Sequence, residues 1–191
     1  MTNAVVGWAG TQAAQPTSGS VTMSTLATTS NGNPILKLRF VLDAARVPVT
    51  DAAGSGSFGA LKLFDCVAGA WGVLGALQNY TAFAEGAALT GAAGDAVFDI
   101  GVGSVAIAAA ADGALAGATD DDIAGEIAVT LAGGTGTGSL VEGPKTTVIN
   151  GTSTAADIVL NVSGTAATID ATSHLDVTGT IEITMVYLGD I

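Results

Sequence analysis

Positive charge is scarce in this chain of 191 residues. Five Lys and Arg stand against 17 Asp and Glu, which gives a formal net charge of −12 at pH 7. Proteins that hold nucleic acid or anionic membranes through phosphate groups use clustered Lys and Arg for this purpose. We therefore expect neither a nucleic-acid partner nor a membrane partner, and the repulsion between like-charged copies favours solubility.

Cysteine is limited to Cys66, so the chain cannot close an internal disulfide bond. This excludes a small secreted domain stapled by disulfides, and a single thiol fits a protein made in a reducing cytoplasm. The first residues show no basic segment followed by an apolar run, so we expect no signal peptide. The longest apolar run, 105–111, is too short to cross a bilayer.

Aromatic residues make up only 5% of the chain, so the core must come from Val, Ile, Leu and Ala. In the stretch 36–42 the even positions are apolar, and Lys37 and Arg39 lie between them. This period of two indicates a strand. Further β-rich runs cover 58–64, 71–77, 80–83, 97–100, 105–109, 127–131, 157–162 and 175–188. Roughly eight short strands between turn signals predict an all-β fold, a β-sandwich or jelly-roll-like domain.

Two short segments also allow a helix. The alanine-rich run 108–111 has high helix propensity, although the glycines around it discourage a long helix. Asp120, Asp121 and Asp122 could cap a short helix over 123–127.

The first 36 residues contain no Asp, Glu, Lys or Arg. A disordered tail usually carries charge and avoids Trp, so this composition favours an extended arm that docks on a partner, with Trp8 as its anchor. We therefore divide the chain into an extended arm, 1–34, and a β-sandwich or jelly-roll domain, 35–191. The alternative, equally supported, is that the segment folds back as an ordinary first strand.

Four of the five cations fall between positions 37 and 62: Lys37, Arg39, Arg46 and Lys62. In a chain of this net charge they make one region locally neutral or basic. We interpret them, together with Trp8, as candidate partner-binding residues that form a docking face for an acidic partner. The alternative is that they are strand-face charges that protect a sheet edge.

No set of residues indicates catalysis. His174 is the single histidine and lies in a turn-like stretch without a nucleophile motif nearby. The segment 101–106 matches a dinucleotide-binding turn, but it lies among β-like runs without the helix that such a turn needs. Asp112 and the triplet 120–122 supply carboxylates that Ca²⁺ accepts, but their spacing does not fit a calcium-binding loop. We therefore expect no enzyme activity, no cofactor and no metal.

The segment 41–59, VLDAARVPVTDAAGSGSFG, resembles one found in small structural proteins of tailed bacteriophages. So do 150–161, NGTSTAADIVLN, and the stretch from Val177 to Asp190. The resemblance covers about half of the chain and consists of turn and strand signatures.

What the resemblance implies is a head decoration (cement) protein that binds the outside of a phage head and bridges capsomers. Its partners would be the major capsid protein and further copies of itself in a small homo-oligomer, with a trimer favoured. It would be made in the host cytoplasm and end on the head surface of the virion. A tail or head-fibre component is the alternative within the same class.

From a different class, the sequence leaves open a carbohydrate-binding module. Such modules present exposed aromatic side chains, and the Trp and Tyr residues of this chain are few and scattered: Trp8, Trp71, Tyr80 and Tyr187.

Overall fold

The computed structural model describes residues 5–6, 9–30, 33–51, 56–85, 96–108, 115, 119–131, 135–138, 140–143, 148–152, 156–164 and 173–189. These residues form strands and no helix. The strands are β1 (Val5–Val6), β2 (Gly10–Gln12), β3 (Ser20–Ser30), β4 (Asn33–Asp51), β5 (Ser57–Cys66), β6 (Gly69–Glu85), β7 (Ala96–Gly103), β8 (Ala124–Leu131), β9 (Thr135–Thr137), β10 (Leu140–Gly143), β11 (Val148–Gly151), β12 (Asp157–Gly164) and β13 (Ser173–Gly189). The predicted all-β fold class is confirmed.

The strands form one curled, antiparallel sheet, a half-barrel of the sandwich or jelly-roll kind. The main order is β10-β6-β13-β4-β5-β12-β7-β8, with β3 paired to β4, β2 to β5, and β9 and β11 to β6. The curl brings the two ends of the sheet close together. A hydrogen bond from the Gln78 side chain in β6 to the Gly125 carbonyl in β8 connects them. The Tyr80 hydroxyl donates to Gln78 Oε1 at 2.8 Å, so the buried amide is held from both sides.

A bulge lets β4 keep its apolar side toward the core along its whole length. Even positions from Leu36 to Leu42 are buried, whereas the buried positions from Ala45 to Val49 are odd. The change of parity occurs at Ala44, whose φ is 46° and whose N–H donates to Thr178 Oγ1 at 3.1 Å. An extra residue of this kind shifts the side-chain alternation by one position.

The N-terminal segment lies on the sheet, which is the fold-back alternative. Strand β2 pairs with β5 and β3 pairs with β4 along its full length, while Ala9 and Val21 belong to the core. The chain boundary placed at 34/35 therefore does not separate an arm from a domain in this structure. The physical reason is that β3 and β4 are adjacent in sequence, so their pairing closes a short loop at little entropic cost. Trp8 lies outside the described residues.

Three local predictions are corrected. The runs 71–77 and 80–83 form one strand, β6, rather than two. Residues 120–122 do not cap a helix, because β8 begins at Ala124. The predicted strand 105–109 does not form over its described part, 105–108. The remainder of the alanine run, 109–111, lies outside the described residues.

Residues 104–108 and 119–123 lie on the outer face of β7 and β12, where the buried side chain of Asn161 holds them by hydrogen bonds. Asn161 in β12 accepts a hydrogen bond from Ile107 N–H at 3.0 Å. Its Nδ2 donates to the carbonyls of Val105 at 2.9 Å and Asp120 at 2.7 Å. Gly103 in β7 permits this close approach, since a Cβ there would lie 2.2 Å from the Thr119 carbonyl oxygen.

Candidate functional site

The first two predicted cations lie side by side on the outer face of β4 and share one carboxylate. Lys37 Nζ is 3.1 Å from Glu182 Oε2, and Arg39 Nε is 3.1 Å from Glu182 Oε1. Glu182 is placed there because β13 pairs with β4 in a register that sets it opposite Arg39. The hydrogen bond from Lys37, and after it the hydrogen bond from Arg39, lowers the pKa of Glu182.

Arg46 forms a two-pronged ion pair with Asp176, again across the β4–β13 pair. Its Nε lies 2.9 Å from Oδ1 and its Nη2 lies 3.0 Å from Oδ2. The hydrogen bond to Asp176 raises the pKa of Arg46. His174 Nε2 is 3.7 Å from the same carboxylate. The single histidine lies in β13, whereas the sequence predicted a turn there.

Lys62 of β5 lies between two carboxylates. Its Nζ is 2.9 Å from Asp65 Oδ1 and 2.9 Å from Asp157 Oδ2. The hydrogen bonds to Asp157 and then to Asp65 raise the pKa of the lysine.

The four cations therefore do not form one basic patch. Lys37 and Arg39 lie together on β4, while Arg46 and Lys62 line a groove further along the sheet. Four carboxylates pair with these four cations: Glu182, Asp176, Asp65 and Asp157. The paired charges cancel, so this surface is locally neutral although the chain has a net charge of −12. The docking face for an acidic partner stays a prediction. Each of the four cations on which it depends is already in an ion pair within the chain.

The groove encloses about 470 Å³. It lies where β4 and β5 diverge, since their pairing covers only 49–51 and 57–59. The segment 13–17 bounds it on one side, with Pro48 and Ala60 among the lining residues. Backbone bonds hold this segment in place, from Ala13 N–H to the Leu63 carbonyl at 3.0 Å and from Arg46 N–H to the Ser18 carbonyl at 3.1 Å.

Strand β3 lies within the uncharged segment that the sequence predicts to dock on a partner, although no sequence pattern indicated that 20–30 form the edge of a sheet. Its register with β4 runs from Ser20↔Asp43 to Ser30↔Asn33 without a shift. It contains no charged residue and no proline, and Leu26 is 62% exposed. Edge strands usually carry Lys, Pro or a bulge that discourages pairing with other chains, and β3 carries none of these.

The hydrogen bonds at Val21 show which backbone groups of β3 point away from β4. Its N–H donates to Gln15 Oε1 at 2.9 Å, and its carbonyl accepts from Gln15 Nε2 at 2.8 Å and Gln12 Nε2 at 2.7 Å. The backbone groups of Val21 therefore point away from β4, and those of Met23, Thr25 and Ala27 follow by the period of two. Among the described residues these three have no partner on that side.

The aromatic residues that a carbohydrate platform would need are mostly in the interior. Trp71 and Tyr80 are fully buried. Tyr187 packs on Trp71, with ring centroids 5.0 Å apart, and its hydroxyl donates to the Ala68 carbonyl. Over the part of the chain that the structure describes, no aromatic platform is exposed.

The acidic turn is occupied by the protein's own hydrogen bonds. Asp122 accepts from Ser104 N–H and from Ser104 Oγ, both at 2.7 Å. Asp121 accepts from Glu126 N–H at 3.2 Å. Burial raises the pKa of Asp122. The described residues contain no group of three or more His, Cys, Asp or Glu that could hold a metal ion, and Asp112 lies outside them.

Cys66 is buried in the core, and burial raises the pKa of its thiol to about 12.

Over the described ranges there is no helix with the length and apolar character to span a membrane. A comparison with protein-family models gives no match, and a comparison with curated proteins finds no relative.

Proposed function

We propose that this protein is a structural protein of a tailed-phage virion, a decoration protein that binds the outside of the head and stabilises the shell by bridging capsomers. The observation that carries the proposal is strand β3, a long, regular and uncharged sheet edge in a chain of net charge −12. The resemblance of 41–59, 150–161 and 177–190 to phage structural proteins supplies the virion context.

A bridging protein needs surfaces that gain energy from contact with other chains. An open edge offers main-chain hydrogen bonds to an extended segment, and exposed apolar side chains add area to the contact. Leu74 and Val148 lie on neighbouring strands, β6 and β11, and are 56% and 44% exposed. A partner that covers them removes apolar surface from water at roughly 25 cal/mol per Å².

The paired cations fit the same role. Lys37 and Arg39 are about half exposed and share Glu182, so this part of the outer face is not acidic. Charges at the rim of an interface set orientation and association rate more than affinity. An acidic surface on the major capsid protein could therefore approach here, whereas most of this chain would repel it.

The test locates the protein on the particle. Native particles are labelled with a gold-conjugated antibody against this chain and viewed by negative-stain electron microscopy. Purified protein is also co-sedimented with heads that lack it, and the heads are then heated. Labels over the shell and a higher temperature of head disruption are expected. Labels on the tail or fibres would favour the alternative within the same class, and labels on neither would overturn both.

A further inference from the structure

The open edge of β3 has the properties of a self-complementary surface. An antiparallel pair of identical strands is related by a two-fold axis, so residue i meets residue j and j meets i. Any charge close to the axis would then meet its own copy, and like charges directly opposite each other are destabilising. Strand β3 holds none, since it consists of Ser, Thr, Ala, Val, Met and Leu.

We propose that two copies of this chain associate through β3, antiparallel, to make a sheet that continues from one molecule into the other. The occupant of the edge is a second copy because of charge. Elsewhere the chain carries 17 acidic against five basic residues, so most surfaces repel their own copies, whereas the first 36 residues are neutral. This inference concerns the purified chain and does not depend on the virion role, although a shell segment that adds a strand to β3 would compete with the second copy for the same edge.

The direction of the backbone groups sets the register. Met23, Thr25 and Ala27 point their N–H and C=O groups outward, and Val21 is already bonded to Gln12 and Gln15. With a two-fold axis at Leu26, these outward N–H and C=O groups bond to the second copy, and the bonds of Val21 to Gln12 and Gln15 are kept. This axis pairs Thr25 with Ala27 of the partner subunit through main-chain hydrogen bonds.

This register also brings the two Leu26 side chains together. Leu26 would face its own copy in a non-hydrogen-bonded pair, where Cα atoms are about 4.5 Å apart and side chains are closest. It is the most exposed of the large apolar side chains that the structure describes, at 62%. The contact is small compared with stable interfaces of about 1,600 Å², so the dimer depends strongly on concentration.

Sedimentation velocity over a range of concentrations tests the association. The expected dimer has a mass of 37 kDa, twice the chain mass of 18.5 kDa. Leu26→Lys places like charges across the axis and should weaken dimerisation by about tenfold or more, or roughly 1.4 kcal/mol. Leu188→Lys is the matched control, an equal change at another exposed leucine, 42% exposed, and should leave dimerisation within about twofold.

Thr25→Pro tests the hydrogen bonds themselves. The Thr25 N–H points away from β4, so proline removes no bond within the sheet, and edge strands tolerate it at such positions. We expect a folded monomer by thermal melting and a weakened dimer. A single 18.5 kDa species up to roughly 1 mM, or equal effects of the changes at Leu26 and Leu188, would overturn the proposal. A three-copy species insensitive to both β3 variants would also overturn it.

Disulfide trapping tests the register. Cα atoms about 4.5 Å apart fall within the disulfide range, so Leu26→Cys should form a covalent dimer on mild oxidation. Leu188→Cys, at an exposed position outside β3, should not. Cys66 does not interfere because it is buried and its thiol pKa is raised to about 12. Cross-linking of both variants at equal rates would contradict the β3 pairing.

Discussion

Replacement of Asn161 by Ala should cost the protein a large part of its stability. The side chain is fully buried and makes three hydrogen bonds, to Ile107 N–H and to the carbonyls of Val105 and Asp120. At about 1 kcal/mol net for each bond, with more for the buried Ile107 N–H, we expect a loss of about 3 kcal/mol. For a chain of this size that corresponds to roughly 6–12 °C in melting temperature.

The assay is urea unfolding followed by far-UV circular dichroism, with Asn79→Ala as a control at an exposed strand position. Asn79→Ala should change the free energy of unfolding by at most about 0.5 kcal/mol. Asn161→Asp keeps the shape but sets a carboxylate against the Val105 and Asp120 carbonyls, so its defect should ease as the pH falls and the carboxyl protonates. A loss below about 1 kcal/mol for Asn161→Ala would refute the argument that this residue fastens the segment.

Three further predictions address packing, protons and the thiol. Gly103→Ala should lower the free energy of unfolding by more than about 1 kcal/mol, because its Cβ would lie 2.2 Å from a carbonyl oxygen. Gly75→Ala is the control in thermal melts and should be nearly neutral, since no atom lies within 4 Å of a Cβ there. Burial raises the pKa of both Asp99 and Asp122. The folded state then binds more protons than the unfolded state just above the ordinary carboxyl pKa, so stability should rise as the pH is lowered from neutral toward that range; a melting temperature that falls on this path would contradict it. Cys66 should resist alkylation in the native protein and react only in denaturant, as mass spectrometry would show.

The alternation of side chains explains which strands were predictable. In 36–42 and 175–186 one face is buried and the other is exposed or partly exposed, so the period of two is visible in the sequence, and β4 and β13 follow it. Strand β3 lacks this signal because residues 24–28 are exposed on both faces. Strand β6 was predicted as two strands, 71–77 and 80–83, with the polar residues Gln78 and Asn79 between them, but it continues through Gln78, which is buried and accepts a hydrogen bond from Tyr80.

The candidate site was less predictable because its geometry depends on partners distant in sequence. The cations cluster within 26 positions by number, 37 to 62, but Arg39 meets Glu182 across 143 positions and Arg46 meets Asp176 across 130. No local pattern shows that each would be paired. Residues 104–108 have local preferences for helix or strand, but they form neither and are hydrogen-bonded to the side chain of Asn161, more than 50 positions away.

The position of β13 in the sheet has a consequence for the order of folding. It lies between β4 and β6 and pairs with both along most of its length, at separations of 90 positions or more between paired residues such as Leu175 and Glu85. During synthesis β4 and β6 must therefore remain with unpaired edges until β13 has left the ribosome. Chains whose central pairings are this distant fold slowly, in milliseconds to seconds or longer, and expose strand edges while they do so. We expect this period, rather than the mature surface, to be the one in which the chain is most prone to aggregate.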